Sequence, residues 1–449
     1  MRRKIYSQLL AWKKRNGESA LLIQGARRVG KSYIVELFAK QEYRSYILID
    51  FNKADQQVKE LFVHDLENMN TFFMKLSAYY GVKLYERETL IILDEVQLFP
   101  RARSAIKYLV ADGRYDYIET GSLISIRENV DGILIPSEED PINMYPLDFE
   151  EFLWALGNES MAELIRACYE SKKPLGQALH RKAMDYFRQY MLVGGMPQAV
   201  QAFSGDLDFD RVDRIKRRIL KLYRDDIRKH AKGYEMKVEA IFDELPSQLK
   251  NQNCHFKLSS LKQGARFDEY KDAMFWLSDA MIVNHCYNTT EPSIGLRLNA
   301  DRTLLKCYMA DTGLLISHTF DENGLVSEEV YKKILLDKLE VNMGMVMENM
   351  VAQMLTASGH KLFFYSNSSR SDASSRMEID FLIAKSNISN RHNISPVEVK
   401  SGKNYTLRSL QKFRTKFSEQ THTPYVLHPG DLKEEDGIVF LPLYMTPFL

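Results

Sequence analysis

Cysteine is scarce in this chain of 449 residues: the four thiols are Cys168, Cys254, Cys286 and Cys307, and no two of them form a C-x-x-C pair. That scatter excludes a disulfide framework and a cysteine-built zinc site, and a reducing, cytoplasmic setting is the simplest expectation. Long apolar runs are also missing. No membrane-spanning segment is therefore expected, and none follows the charged Met1-Arg2-Arg3-Lys4 start that would make a secretion signal. Excess charge of either sign is absent: 61 Lys+Arg stand against 60 Asp+Glu, a net +1. Binding to nucleic acid or to a membrane then has to be local. Repeats and long low-complexity linkers are lacking too. What remains is globular composition, 45% hydrophobic and 27% charged, in a length that calls for about two to four domains.

Within that frame one stretch stands out. Gly25-Ala26-Arg27-Arg28-Val29-Gly30-Lys31-Ser32 reads G-x-x-x-x-G-K-[ST], the nucleotide phosphate-binding loop. The apolar run Ala20–Ile23 before it suits a buried strand, and Tyr33 to Phe38 has the spacing of an opening helix. Strand, glycine loop and helix start build an anion cradle, in which N–H groups of residues 25–33 face phosphate oxygens. Gly25 and Gly30 permit backbone angles a β-carbon would forbid. Lys31 would reach the β- and γ-phosphates, and the Ser32 hydroxyl would ligate Mg²⁺.

Further strands follow at Tyr46–Phe51 and Leu90–Leu93, the second ending in Asp94-Glu95, a Walker B pattern. A continuous apolar run marks a strand buried on both faces of a parallel sheet, and its C-terminal end is where such sheets place ligands. Asp94 would hold Mg²⁺ directly or through water, and Glu95 would orient or deprotonate the attacking water. Tyr117–Thr120 reads as a fourth strand leading into Gly121-Ser122, and 141–145 as a short fifth.

One intervening strand and the acidic pair resemble the ATPase branch that includes AAA proteins. In that branch a polar residue after the fourth strand senses the γ-phosphate; Ser122 or Thr120 could serve, or the hydroxyl satisfies local backbone. More widely, the chain resembles a large family of bacterial and archaeal AAA-type ATPases with a poorly understood C-terminal region. The phosphate loop, Leu93 to Gln97, Thr120-Gly121-Ser122, Tyr145 to Phe152, and Gly194-Gly195-Met196-Pro197 carry that resemblance. It implies ATP binding and hydrolysis. For a trans-acting arginine, Arg101, Arg103, Arg114 and Arg127 are the candidates, each with the alternative of a solvated surface charge.

From Leu147 to Lys232 the apolar spacing turns helical, as in a lid beside a nucleotide. Ten Lys/Arg between Asp210 and Lys232, against four Asp, make either a phosphate-tracking helix or a solvated helix face. Leu258–Leu261 and Phe267–Leu277 resemble the helix–turn–helix of a winged-helix module. Strands would follow at 280–284 and 307–314, and the module would serve packing or duplex DNA.

The last constellation is Glu348, Asp380, Glu398 and Lys400. Glu348 sits in an amphipathic helix, Asp380 on an alternating strand from Met377 to Ile383, and Glu398 and Lys400 on one side of a strand from Ser395. Two strand carboxylates and a lysine suit Mg²⁺-assisted phosphodiester hydrolysis, the carboxylates binding metal and the lysine stabilising the anionic transition state. A commonplace cross-strand salt bridge is the alternative. Order and spacing resemble the PD-(D/E)XK nuclease family, with Glu348 as its helix-borne acid and Ile379 where that family has proline. The basic positions between Lys403 and Lys416 suit a backbone track or a solvated helix.

The expected architecture is multidomain α/β. It comprises a P-loop ATPase core over 1–146, a helical lid over 147–235, a winged-helix-like domain over 236–325 and a restriction-endonuclease-like α/β domain over 326–449. ATP and Mg²⁺ are the expected cofactors, and DNA and further copies of the chain the partners to test. Three functional readings follow: an ATPase controlling a nuclease-like domain, a nucleotide-dependent switch whose C-terminal fold only binds, and a regulator reading DNA through the winged helix.

Overall fold

A computed structural model describes residues 1–122, 135–250, 256–293, 295–320, 343–367, 375–384, 393–402 and 404–449, with 329, 331 and 333. The chain divides into two compact units, Met1–Tyr145 with Asp279–Met281, and Pro146–Ser278 with Ile282–Leu449.

The first unit runs α1 (Ile5–Lys13), β1 (Ala20–Gln24), α2 (Lys31–Glu42), β2 (Ser45–Asp50), α3 (Gln56–His64), α4 (Met69–Tyr80), β3 (Thr89–Asp94), α5 (Pro100–Asp112), β4 (Asp116–Gly121) and β5 (Glu139–Asn143). Its five strands are all parallel in the order β2-β3-β4-β1-β5. The apolar runs of β1 and β3 are buried on both faces because helices cover both. Leu22, Ile47, Ile91 and Tyr117 face α3, α4 and α5, while Leu21, Ile23, Ile92 and Ile118 face α1 and α2. Pro141, which has no N–H to give a ladder, lies on the edge strand β5. In space β4 lies between β1 and β3, although in sequence β2 does.

The second unit begins with helices α6 (Phe149–Ala155), α7 (Glu159–Glu170), α8 (Gln177–Val193), α9 (Pro197–Asp206), α10 (Phe209–His230), α11 (Glu235–Lys250) and α12 (Phe267–Asp279). Asp148 and Glu151 form a reciprocal capping box at the start of α6: Asp148 Oδ1 accepts the Glu151 N–H at 2.9 Å and Glu151 Oε2 accepts the Asp148 N–H at 3.1 Å. Glu150 pairs with Arg166 at 2.7 Å. The Gly194-Gly195 turn is pinned by Asp311, which accepts the Gly195 N–H at 2.6 Å, and by Leu147, whose N–H reaches Gly195 O at 2.7 Å. A β-carbon at Gly195 would collide with the Leu147 backbone.

After β6 (Val283–Thr289) and β7 (Ala300–Met309) come α13 (Thr312–Thr319), α14 (Met343–Ala357), β8 (Leu362–Asn367), β9 (Met377–Ala384), β10 (Ile394–Val399), α15 (Arg408–Lys416), β11 (Tyr425–His428), β12 (Lys433–Glu435) and β13 (Ile438–Pro442). The eight strands form one mixed sheet, β12-β13-β11-β10-β9-β8-β6-β7. The β6–β7 hairpin, expected to close a separate wing, thus extends the C-terminal sheet, with β6 parallel to β8. Both of its expected boundaries shift. Residues 280–282 precede the strand, with Met281 at a positive φ of 56°, and the second strand stops at Met309 because Asp311 caps α13 by accepting the Leu314 N–H. The α15 face of the sheet packs Tyr365, Ile379, Leu410 and Phe413, and α14 lies against β6, β7, β8 and β10.

Candidate functional site

The phosphate loop lies between β1 and α2. Its two glycines are required for different reasons. Gly30 has φ +100°, a left-handed angle, whereas Gly25 shows no such angle and is needed for space, since a β-carbon there would stand 2.5 Å from Met144 O on the chain leaving β5. Arg28 is also left-handed at φ +70°, and these turns curl the loop into a concave run of backbone N–H groups. Gly30 is the N-cap of α2 and supplies no side-chain bond, so no cap claims the first-turn N–H groups. Lys31 Nζ, buried, donates to Gly25 O at 2.8 Å and Ala26 O at 3.1 Å, which holds the ammonium inside the loop's curve. Ala26 and Val29 are buried beneath the loop, and Arg27, Arg28 and Tyr33 are exposed along it. Sequence reasoning missed Arg3. This buried guanidinium braces the loop from behind, donating to Val29 O at 3.2 Å and Tyr145 O at 2.6 Å. Its only sequence signal was a basic N-terminus.

Opposite the loop, Ser32 Oγ donates to Asp94 Oδ1 at 2.8 Å, and Thr120 Oγ1 donates to the same oxygen. Thr120 reaches it because β4 is inserted between β1 and β3. Burial raises the Asp94 carboxyl above its ordinary value, and the hydrogen bonds from Thr120 and Ser32 oppose that shift. Two hydroxyls and a carboxylate are hard oxygen donors, the set that suits Mg²⁺ beside phosphates. Of the two sensor candidates, Thr120 bonds Asp94; Ser122 is buried two residues on. Glu95 follows with φ +54°, a left-handed angle that is unfavourable for a residue with a β-carbon, and its Oε2 accepts from Gln97 Nε2 at 2.5 Å.

The neighbouring charges correct part of the arginine expectation. Arg103 is buried in an ion pair with Glu139, with Nε to Oε2 at 3.2 Å. Arg114 pairs with Asp112 at 2.7 Å and lies over the Phe73 ring. The Arg103 guanidinium does not reach outward as a trans-acting residue must, whereas Arg114 is partly exposed. Arg101 is exposed in the first turn of α5, and Arg127 lies outside the described residues.

Glu119, also unforeseen, is fully buried on β4 with neither carboxyl oxygen hydrogen-bonded, and burial holds it well above its usual range. The folded chain holds this proton to higher pH than the unfolded chain, which loses it above about pH 4.3. Stability from this group is therefore full below that pH and is lost as pH rises toward the raised folded value. Glu119→Gln should shrink the drop in urea midpoint between pH 6 and pH 8. An unchanged drop would show that the carboxyl ionises in the fold.

In the second unit the antiparallel β9–β10 pairing sets Val397 opposite Phe381, and the Val399 N–H donates to Asp380 Oδ2 at 2.8 Å. Lys400 Nζ bonds Glu398 Oε2, as the i, i+2 spacing implied. Burial and then the charge of Glu348 raise Asp380 well above the carboxylate range, with Glu398 adding to the shift. The structure thus brings the four residues together. It also adds three that sequence reasoning missed. Tyr308 OH donates to Glu348 Oε2 at 2.9 Å, and Lys306 Nζ lies 3.4 Å from Glu348 Oε2 and 2.9 Å from Glu378 Oε1. Burial alone would lower the Lys306 ammonium, but Glu348, Tyr308, Glu378 and Asp380 together hold it well above its ordinary value. Among the described residues no group of three or more His, Cys, Asp or Glu is arranged so that it could hold a metal ion.

Part of each basic stretch is engaged within the fold. On α10, Lys216 is buried and donates to Leu192 O and Tyr331 OH, while Arg217, Arg224 and Arg228 pair with Asp213, Asp243 and Glu239. On α15, Lys412 donates to Arg376 O and Lys416 to Tyr365 OH; Lys403 lies outside the described residues. No helix among the described residues is long and apolar enough to cross a membrane.

A parallel sheet with a glycine loop between its first strand and helix, facing a strand-end carboxylate, defines a P-loop nucleotide-binding domain. Residues 17–153 match the family model described as an AAA domain, which supports an AAA-type P-loop ATPase in this part of the chain. Residues 184–323 and 343–445 match two models each described as a domain of unknown function, and the second gives a nuclease no support. An uncharacterized protein of Methanocaldococcus jannaschii is 24% identical over 189 residues, 40% of this chain and 38% of that protein's length. Among solved structures, the Walker-type ATPase of Pyrococcus abyssi is 16% identical with a TM-score of 0.40, over 71% of this chain and 95% of that one. AMPPCP-bound DnaA from Aquifex aeolicus is 13% identical with a TM-score of 0.26, over 62% and 89%. Likeness at those scores carries no argument about this chain.

Proposed function

We propose that this chain binds Mg²⁺-ATP at the loop of the first unit and hydrolyses it. The observation that carries the reading is the convergence of the Ser32 and Thr120 hydroxyls on Asp94 beside Lys31 and the uncapped start of α2. The N–H groups of residues 25–33 and the Lys31 ammonium would hold the phosphates, and Ser32 and Asp94 the metal. Bound magnesium neutralises charge on the phosphate oxygens. Glu95 orients water and accepts its proton at the carboxylate, and Thr120 with Ser122 answers to the terminal phosphate. Mg²⁺-dependent phosphate release by the whole chain, measured beside Glu95→Gln, tests this; equal release from both would remove the assigned base.

For the second unit we favour the switch: its nuclease-like set of acids binds or responds to a partner and does not cleave. Lys306 standing among the carboxylates supports this over the nuclease. Incubation with single-stranded, duplex and branched DNA, with Mg²⁺ or Mn²⁺ and with or without ATP, is expected to yield no products. Cleavage that disappears in Asp380→Ala would overturn the switch and make the chain an ATP-regulated nuclease.

A further inference from the structure

The carboxylates of the second unit need a cation, and the fold already supplies one. Glu378 and Asp380 alternate with buried Met377, Ile379 and Phe381 at the start of β9, Glu348 comes from α14, and Glu398 from β10. Four clustered carboxylates, Glu398 buried and the other three partly buried, repel one another unless positive charge enters. Lys400 bonds Glu398, and its charge also acts on Asp380 and Glu348. Lys306 enters from β7, at the far edge of the sheet from β12, with its side chain 9% exposed. Its ammonium touches Glu378 at 2.9 Å and Glu348 at 3.4 Å, and Phe364 closes over it at 5.2 Å. Tyr308, two residues on along the strand, directs its hydroxyl at the Glu348 oxygen that Lys306 also faces.

We infer that the Lys306 ammonium is the resident cation of this acidic centre, occupying the role a divalent metal has in a metal-dependent nuclease. The lysine is covalently tethered, so it cannot be exchanged or removed by chelation. It brings three N–H donors and no open coordination position at which water could be activated. The centre is then a tethered ion-pair cluster that ties β7 and α14 to β9. The inference deepens the non-cleaving reading above and rests on it.

The test is Mn²⁺ binding, followed by titration calorimetry and Mn²⁺ electron paramagnetic resonance. It uses the full chain carrying Asp94→Ala, so that the phosphate-loop site does not report. In that background, native Lys306 is expected to bind no Mn²⁺ at about 1 mM. Lys306→Met is expected to gain one site, at least about tenfold tighter, that Asp380→Asn removes again. Its unfolding temperature should fall by about 5 °C or more and recover in Mn²⁺, because uncompensated buried carboxylates destabilise the fold. Lys306→Arg should keep the unfolding temperature and bind nothing. A native-Lys306 chain that binds Mn²⁺ through Asp380, or a folded Lys306→Met that gains no site, overturns the assignment. Should Lys306→Met not fold, the native-Lys306 chain beside Asp380→Asn still decides: Mn²⁺ bound in the first and lost in the second overturns it, and none in either upholds it. DNA cleavage reports separately. Mn²⁺ bound without cleavage sinks the lysine's role and leaves the switch standing, whereas cleavage sinks the switch.

Discussion

Lys31→Ala is expected to weaken ATP binding by about 100-fold or more, measured by titration with a fluorescent ATP analogue in Mg²⁺. A charge-assisted hydrogen bond contributes about 1.5–3 kcal/mol, and each tenfold in affinity is about 1.4 kcal/mol, so losing the ammonium's contacts to phosphate oxygens accounts for that factor. The side chain is only 6% exposed and its Nζ already lies against Gly25 O and Ala26 O, so the ammonium reaches phosphate with little side-chain entropy left to lose. Alanine also deprives those two carbonyls of this donor, so the unfolding temperature must be followed alongside to separate a collapsed loop from a lost contact. Lys31→Arg should not restore binding, since a planar guanidinium cannot occupy the curve that holds the compact ammonium. Affinity within threefold of wild type in a stable Lys31→Ala chain would remove this residue from the phosphate site.

Glu95→Gln should leave ATP affinity within about threefold and reduce steady-state hydrolysis by about 100-fold or more, the range in which a positioned general base acts. The exchange is isosteric, so the left-handed backbone at Glu95 and the contact with Gln97 can persist while the carboxylate is lost. A strained angle beside a candidate catalytic group is itself a reason to look there, because the surrounding structure has to hold it. Here the short turn Val96–Leu98 and the first turn of α5 follow at once and keep the side chain at the end of β3. Hydrolysis at the wild-type rate in Glu95→Gln would place the base elsewhere. Loss of binding together with hydrolysis would make Glu95 a binding residue instead.

Much of the first unit was legible along the chain because its signals are local. The glycine loop is eight consecutive residues, and the strand before it and the helix after it announce themselves by apolar spacing over a few positions. The continuous apolar run of β3 marked its burial on both faces, and Asp94 and Glu95 mark the end of that strand. In the second unit, alternation placed Asp380 on β9 and the two-residue spacing placed Lys400 on Glu398. The acids of Asp148–Glu151, by contrast, stood out in sequence only as part of a resemblance. Their roles as a capping box and as the partner of Arg166 emerge once the helices are packed.

The amino-acid sequence by itself determined the phosphate loop, the acidic strand end after it and the acids of the C-terminal strands, because each is written in neighbours a few residues apart. Only the tertiary structure decided which groups complete those sites. Thr120 meets Asp94 because β4 inserts between β1 and β3, Arg3 meets Val29 from a distant helix start, and Lys306 meets Glu348 and Glu378 because the β6–β7 hairpin joins the C-terminal sheet. Strand order and the crossing of helices are set by how whole apolar faces are buried together, a property of the assembled layers that no local spacing encodes.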